Sequence, residues 1–132
     1  MKPNLIFWPV LAQVLLTVTL YILLGRARGA ARKDKSIDIK RAPYDPSVWP
    51  VKVRQVGNSL DSQFQAPVLF YALCFVCWAT GNVGAFELSA ATLFFVSRVG
   101  HAYVHCTSNY VPHRYKLFVV GLLCVLSLTI RL

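Results

Sequence analysis

Long apolar runs, interrupted by short polar segments, dominate the pattern of hydrophobic and polar positions along this chain. An α-helix needs about 20 residues to cross a hydrocarbon core of roughly 30 Å. The pattern predicts four such spans, at about residues 5–24, 59–80, 85–105 and 117–130. We therefore expect a single all-α membrane domain that covers residues 1–132.

The composition supports a membrane protein and argues against a water-soluble enzyme. Hydrophobic residues make up 56% of the chain and charged residues 14%, against roughly 45–50% and about 25% in soluble domains. The net charge of +9 comes mostly from the loop at residues 25–57, which holds nine of the 14 Lys and Arg residues. Because these cations lie between apolar runs, we expect contact with lipid headgroups and no nucleic-acid partner.

The distribution of cations also predicts the topology. Arg114 and Lys116 flank the connection between the third and fourth spans, and the opposite side carries only Lys2 and Arg131. By the positive-inside rule, both basic connections are cytoplasmic and both termini lie on the non-cytoplasmic side. Since the first run is followed, not preceded, by most of its cations, it is typical of a retained span and not of a cleaved signal peptide.

Two polar stripes are the candidate functional features. The first enters the second span with helical spacing, and Ser62 and Gln63 widen its polar arc. It consists of Arg54, Asn58, Asp61 and Gln65. The second lies in the last turns of the third span, at Arg98, His101 and His105. Charged groups at membrane depth are costly, which makes both stripes candidates for a site.

The predicted topology places both stripes at the cytoplasmic side. Antiparallel helices would let them face each other across one polar cavity, with Arg114 and Tyr115 at its mouth. The cavity would contain at least two arginines and only one acid, Asp61. This excess of positive charge favours an anionic ligand, because a guanidinium group can bind a carboxylate or a phosphate through two parallel hydrogen bonds. The alternatives are an interhelical polar network without a ligand, or simply the hydrated end of a helix for the first stripe.

A metal site is not expected. His101 and His105 are spaced to share a metal, but the only other histidine is His113. Cys74 and Cys77 form a CxxC pair inside an apolar run, without the second pair that a zinc site needs. Their surroundings favour packing as small apolar residues.

Two segments of the sequence resemble the bacterial branch of the MAPEG family, the membrane-associated proteins in eicosanoid and glutathione metabolism. They are Gln63–Tyr71 (QFQAPVLFY) and Arg98–His105 (RVGHAYVH), followed by Asn109 and Arg114. The resemblance implies a left-handed four-helix bundle of up-down topology, assembled as a homotrimer in the bacterial inner membrane. It also implies glutathione as co-substrate, bound between subunits near the cytoplasmic side, and a lipophilic small molecule arriving from the bilayer.

The resemblance further implies roles for individual residues. Arg54, Asn58 and Asp61 match an Arg-Asn-acid set that holds the glutathione peptide. Arg114 is the first candidate to hold the thiolate and Arg98 the second. Further ligand contacts are expected from Gln65, which stands where an acid is usual, and from His101 and His105, which replace tyrosines of the eicosanoid enzymes.

The implied function is a membrane-embedded glutathione-dependent transferase or peroxidase that acts on lipophilic electrophiles. Two alternatives remain open. One is a non-enzymatic trimeric scaffold or accessory subunit, in which the polar stripes hold helices together. The other is a lipid-binding or transport role for the basic loop.

Overall fold

The computed structural model describes residues 1–35 and 37–132. Helices are the only regular elements in these ranges, so the all-helical prediction is confirmed. The five α-helices are α1 (Phe7–Lys33), α2 (Val51–Ser62), α3 (Ala66–Ala79), α4 (Ala85–Cys106) and α5 (Val111–Arg131), with short 3-10 turns at Pro3–Ile6 and Pro46–Val48.

Helix α1 continues beyond the predicted span into the basic loop. It ends at Lys33, with Arg32 and Lys33 in its last turn. Cations at this end of a helix interact favourably with the partial negative charge of its last carbonyl groups. The predicted span ended at Leu24 because hydropathy shows only where the apolar residues stop. The helix itself continues for nine more residues, to Lys33.

The predicted second span consists of two helices, α2 and α3, separated at Gln63–Gln65. The ring of Pro67 clashes with the carbonyl group four residues earlier in a continuous helix, and Pro67 lacks an amide donor. The amides of Gln63, Phe64 and Gln65 instead bond to carbonyl groups three residues back. These tighter turns satisfy the backbone at a depth where water cannot.

Three helical stretches are long and apolar enough to cross a membrane: Pro3–Lys33, Val51–Ala79 and Val111–Arg131. Helix α4, the predicted third span, is not among them because Glu87, Arg98, His101 and His105 make it more polar. All four of these side chains are buried. The bundle itself therefore surrounds the polar face of α4, and its 22 residues give it a length of about 33 Å.

Stacked aromatic rings form the centre of the core. Phe70 of α3 and Phe94 of α4 are fully buried, with ring centroids 4.3 Å apart. Cys74 packs in the same cluster and Cys77 in a neighbouring one, both as buried free thiols. The CxxC pair therefore contributes to apolar packing, as its sequence context predicts.

An ion pair joins α4 and α5 at the end of the bundle remote from Arg98. The buried Glu87 accepts a hydrogen bond of 3.0 Å from Arg131 Nε through one carboxylate oxygen. Its other oxygen accepts from the amide of Gly84, which precedes α4. This carboxylate is thus fully engaged far from the candidate site.

Close contact between α4 and α5 requires a glycine at position 121. A Cβ atom there would lie 3.1 Å from Ser97 Oγ and 3.5 Å from the Phe94 ring. We expect Gly121→Val to lower the free energy of unfolding by about 1–2 kcal/mol through overpacking. Gly29→Val is the control, because no atom lies within 4 Å of a Cβ at Gly29. Thermal unfolding in detergent measures both variants, and equal losses would contradict this packing.

Candidate functional site

The Arg98 guanidinium group is buried against the break between α2 and α3. Its side chain is among the largest fully buried ones, 1% exposed. Nη2 donates to Ser62 Oγ at 2.7 Å and to the Ser62 carbonyl oxygen at 3.2 Å. The end of α2 and the last turns of α4 therefore meet at one level of the bundle. Arg98 Nε has no partner among the described atoms.

A second buried hydrogen-bond chain ties α1 to the same break. Gln13 Nε2 donates to Gln63 Oε1 at 2.6 Å, and Gln63 Nε2 donates to the Ser59 carbonyl oxygen at 3.2 Å. Gln13 and Gln63 are almost completely buried. The interruption at Gln63 is thus held from one side by α1 and from the other by Arg98 of α4.

The basic residues of the α4–α5 hairpin form a cluster, which we call the basic cluster: Arg98, His101, His105 and Arg114. The two imidazole rings lie perpendicular to each other with centroids 5.6 Å apart. Both Arg98 and Arg114 are near enough for their charges to act on these rings. Nδ1 of each histidine is buried and has no partner among the described atoms.

Arg114 is the most accessible arginine of the basic cluster. It is half-buried at the start of α5, and its Nη1 donates to Asn109 Oδ1 at 2.6 Å. Asn109 adopts a left-handed backbone conformation, with φ 52°, that turns the chain between the two helices. Asparagine tolerates this conformation better than most residues. The turn therefore fixes the amide that orients Arg114.

No described carboxylate is bonded to the basic cluster. The two ion pairs in the described ranges are Arg41–Asp45 in the loop and Glu87–Arg131 at the remote end. Two guanidinium groups without a carboxylate partner in a largely apolar bundle favour binding of an anion. Among the described residues, no group of three or more His, Cys, Asp or Glu side chains could hold a metal ion.

The first stripe does not face the basic cluster within one chain. Arg54, Asn58, Asp61 and Gln65 are all exposed. The opposite face of α2 is buried, through Val53, Val56, Leu60 and the polar Ser59 and Ser62. The single cavity expected from both stripes is therefore not formed by one chain, because α2 turns its more apolar face inward. Ser62 and Gln63, at the margin of the polar arc, make the buried contacts instead.

Membrane depth makes this exposure significant. Helix α3 has 14 residues, a length of about 21 Å, which is less than a core of roughly 30 Å. The last turn of α2 and the break must therefore also lie at least partly within the hydrocarbon region. Asp61 and Gln65 belong to this part, so they need cover from something other than lipid.

Sequence reasoning did not single out Gln13. A signal was present, since Gln13 is a lone amide in the first apolar run. Its partner could not be found from the pattern, because Gln63 lies 50 residues away on another helix.

Comparison with known proteins assigns the chain to a family. No curated protein and no solved structure matches it significantly. A model of the family described as the MAPEG family matches residues 6–132, which include the break at Gln63, the basic cluster and Asn109. Since this match covers nearly the whole chain, the protein belongs to the MAPEG family.

Proposed function

We propose that the protein is a glutathione-dependent transferase or peroxidase that acts on lipophilic electrophiles within the membrane. Membership of the MAPEG family, which includes such enzymes, supports this function. The observation that carries it is the basic cluster without a carboxylate partner, beside a half-buried Arg114. Glutathione offers two carboxylates and a thiol that ionises, which suit such a cluster.

The exposed stripe on α2 supports assembly into a homotrimer. Arg54, Asn58, Asp61 and Gln65 cannot face lipid without cost, and a neighbouring subunit would cover them. Glutathione bound at that boundary would contact the stripe of one chain and cations of the next. Asp61 would bind its ammonium group, and Arg54 a carboxylate.

The chemistry would depend on ionisation of the glutathione thiol. A free thiol with a pKa near 8.5 is only a few per cent thiolate at neutral pH. The Arg114 guanidinium group, placed within a few ångströms of the sulfur, would favour the anion. The thiolate then forms a bond to an electrophilic carbon and displaces the leaving group. With a peroxide the thiolate attacks one oxygen and the O–O bond breaks, which releases an alcohol after protonation and leaves glutathione sulfenic acid. The thiol of a second glutathione then displaces water from that sulfur and forms the disulfide.

Arg98 would act differently from Arg114 in this scheme. Its side chain is 1% exposed and bonded to Ser62. In this position it contributes charge to the site and holds Ser62, the residue after Asp61. We therefore assign it a positioning role, and His101 and His105 line the buried side of the same region.

Titration of the detergent-purified protein with glutathione tests the proposal. We expect binding that Arg54→Ala weakens by about tenfold, as loss of a charged hydrogen bond would. Lys40→Ala, which removes an exposed cation of the loop outside the stripe, should leave binding unchanged. Native mass spectrometry should give the mass of three chains. An absence of binding at millimolar glutathione would reject the function.

A non-enzymatic scaffold is the second candidate. The Gln13–Gln63 and Arg98–Ser62 bonds favour it, because both join different helices of one chain through buried polar groups. A trimer that binds no glutathione would support this function.

A further inference from the structure

A cavity outside the basic cluster lies where the loop after α1 folds back on that helix. Its volume is about 460 Å³. Two arginines and a tryptophan form its polar part, and aliphatic side chains form the rest; the lining residues are Arg28, Arg32, Ile37, Ile39, Ala42, Pro43 and Trp49. None of the residues assigned to glutathione lines it.

Both arginines line the cavity from α1. Arg28 and Arg32 are four residues apart on α1 and therefore lie on the same face. The Arg28 guanidinium carbon is 5.3 Å from the centre of the Trp49 ring. Stacking on an aromatic ring fixes the plane of a guanidinium group and leaves the N–H groups at its edge for oxygen acceptors.

Neither Arg28 nor Arg32 forms an ion pair with an acid of the loop among the described residues. Asp45 accepts hydrogen bonds from the Ser47 hydroxyl and amide groups and pairs with Arg41. The Ser47 hydroxyl, followed by its amide, holds the pKa of Asp45 below its usual range. Asp38 accepts from the amide of Lys40 in its own turn. Asp38 and Asp45 are therefore engaged within the loop itself, and Asp34, which follows α1, takes part in neither of the two ion pairs of the described residues.

The position along α1 matches the headgroup layer of a bilayer. The apolar run ends at Leu24, so Arg28 lies about 6 Å and Arg32 about 12 Å further along the helix axis. The headgroup layer extends roughly 5–8 Å beyond the hydrocarbon core on each side. Arg28 therefore lies within this layer, and the long side chain of Arg32 can reach back into it.

The aliphatic wall adds a second requirement for the ligand. Ile39 is 52% exposed although it belongs to a loop outside the apolar runs. Exposed isoleucine next to a tryptophan is typical of a segment at a membrane surface, where aromatic side chains are enriched. A ligand that fills this cavity should thus carry an anionic oxygen group next to an apolar chain.

We propose that this cavity binds the phosphate group of an anionic phospholipid, with Arg28 and Arg32 as its ligands. Ile37 and Ile39 contact the glycerol and upper acyl chain, and Trp49 holds Arg28 in place. The site is independent of the proposed glutathione function. It anchors the loop to the cytoplasmic leaflet by one specific lipid, in addition to the general attraction of a basic surface.

Native mass spectrometry of the full-length protein, released from mixed phosphatidylglycerol and phosphatidylcholine micelles, tests this site. We expect the protein to retain phosphatidylglycerol in preference. Arg28→Ala/Arg32→Ala should lower that preference by roughly tenfold. Arg26→Ala/Lys33→Ala is the matched control, since it removes the same charge from the same end of α1 without changing a lining residue. Its effect should stay below about twofold.

Equal losses in both double variants would show a diffuse electrostatic surface and overturn the site. A second measurement distinguishes lipid from free phosphate. In a variant with Trp8→Phe and Trp78→Phe, the fluorescence of Trp49 should respond to phosphatidylglycerol and not to millimolar inorganic phosphate. A response to inorganic phosphate that also displaces the lipid would assign the cavity to a soluble phosphate compound and reject the lipid.

Discussion

Arg114→Ala is expected to lower the turnover of glutathione with a lipophilic electrophile by about 100-fold. Removal of one preorganised group that stabilises an anion in an active site typically costs 100-fold or more. Without the guanidinium group, the pKa of the bound glutathione thiol would rise by about one to two units. Activity at neutral pH falls because a smaller fraction of the thiol is then ionised. Turnover of chlorodinitrobenzene as a function of pH measures this, together with the ultraviolet difference spectrum of bound thiolate.

Lys116→Ala provides the control for this variant, because Lys116 is an exposed cation two residues away on the same helix. Asn109→Gly should give an intermediate loss, since it removes the hydrogen bond that orients Arg114 while glycine keeps the left-handed backbone conformation at this position. If Arg114→Ala kept its pH profile and lost activity only by weaker glutathione binding, Arg114 would be a binding residue and not the thiolate partner.

Ser62→Ala is expected to lower the free energy of unfolding by about 2–3 kcal/mol. The Ser62 hydroxyl accepts the shorter of the two hydrogen bonds that the buried Arg98 donates to this residue, and a hydrogen bond to a charged group contributes roughly 1.5–3 kcal/mol. Its loss also leaves a guanidinium group in the bundle with fewer partners, which raises the cost of burying its charge. Denaturant unfolding in a neutral detergent measures the change.

A double variant separates this electrostatic cost from a simple loss of packing. Arg98→Met has a similar side-chain length without the charge, so Ser62→Ala/Arg98→Met should be more stable than Ser62→Ala alone. It should nevertheless remain poorly active, because the α2–α3 break is no longer tied to α4. Additive losses in the two single variants would contradict a direct Arg98–Ser62 bond.

Local patterns predicted the helices and the family well. Apolar runs of about 20 residues predicted the helical stretches because length and hydropathy are properties of the segment itself. The spacing of Arg98, His101 and His105 placed them on one face, and all three are buried together. The ends of the helices were predicted less well. Pro67 indicated an interruption of the second helix, but hydropathy did not show that α2 begins at Val51 or ends at Ser62.

The direction in which each polar face turns depended on the packed bundle. The helical period of 3.6 residues predicts which side chains share a face, but it does not predict what that face contacts. Arg54 and Asp61 form one face as predicted, yet α2 buries Val53 and Val56 instead and leaves that face outside. Gln13 and Gln63, or Arg28 and Trp49, become partners only when segments far apart in the chain pack together, and no local pattern contains that information.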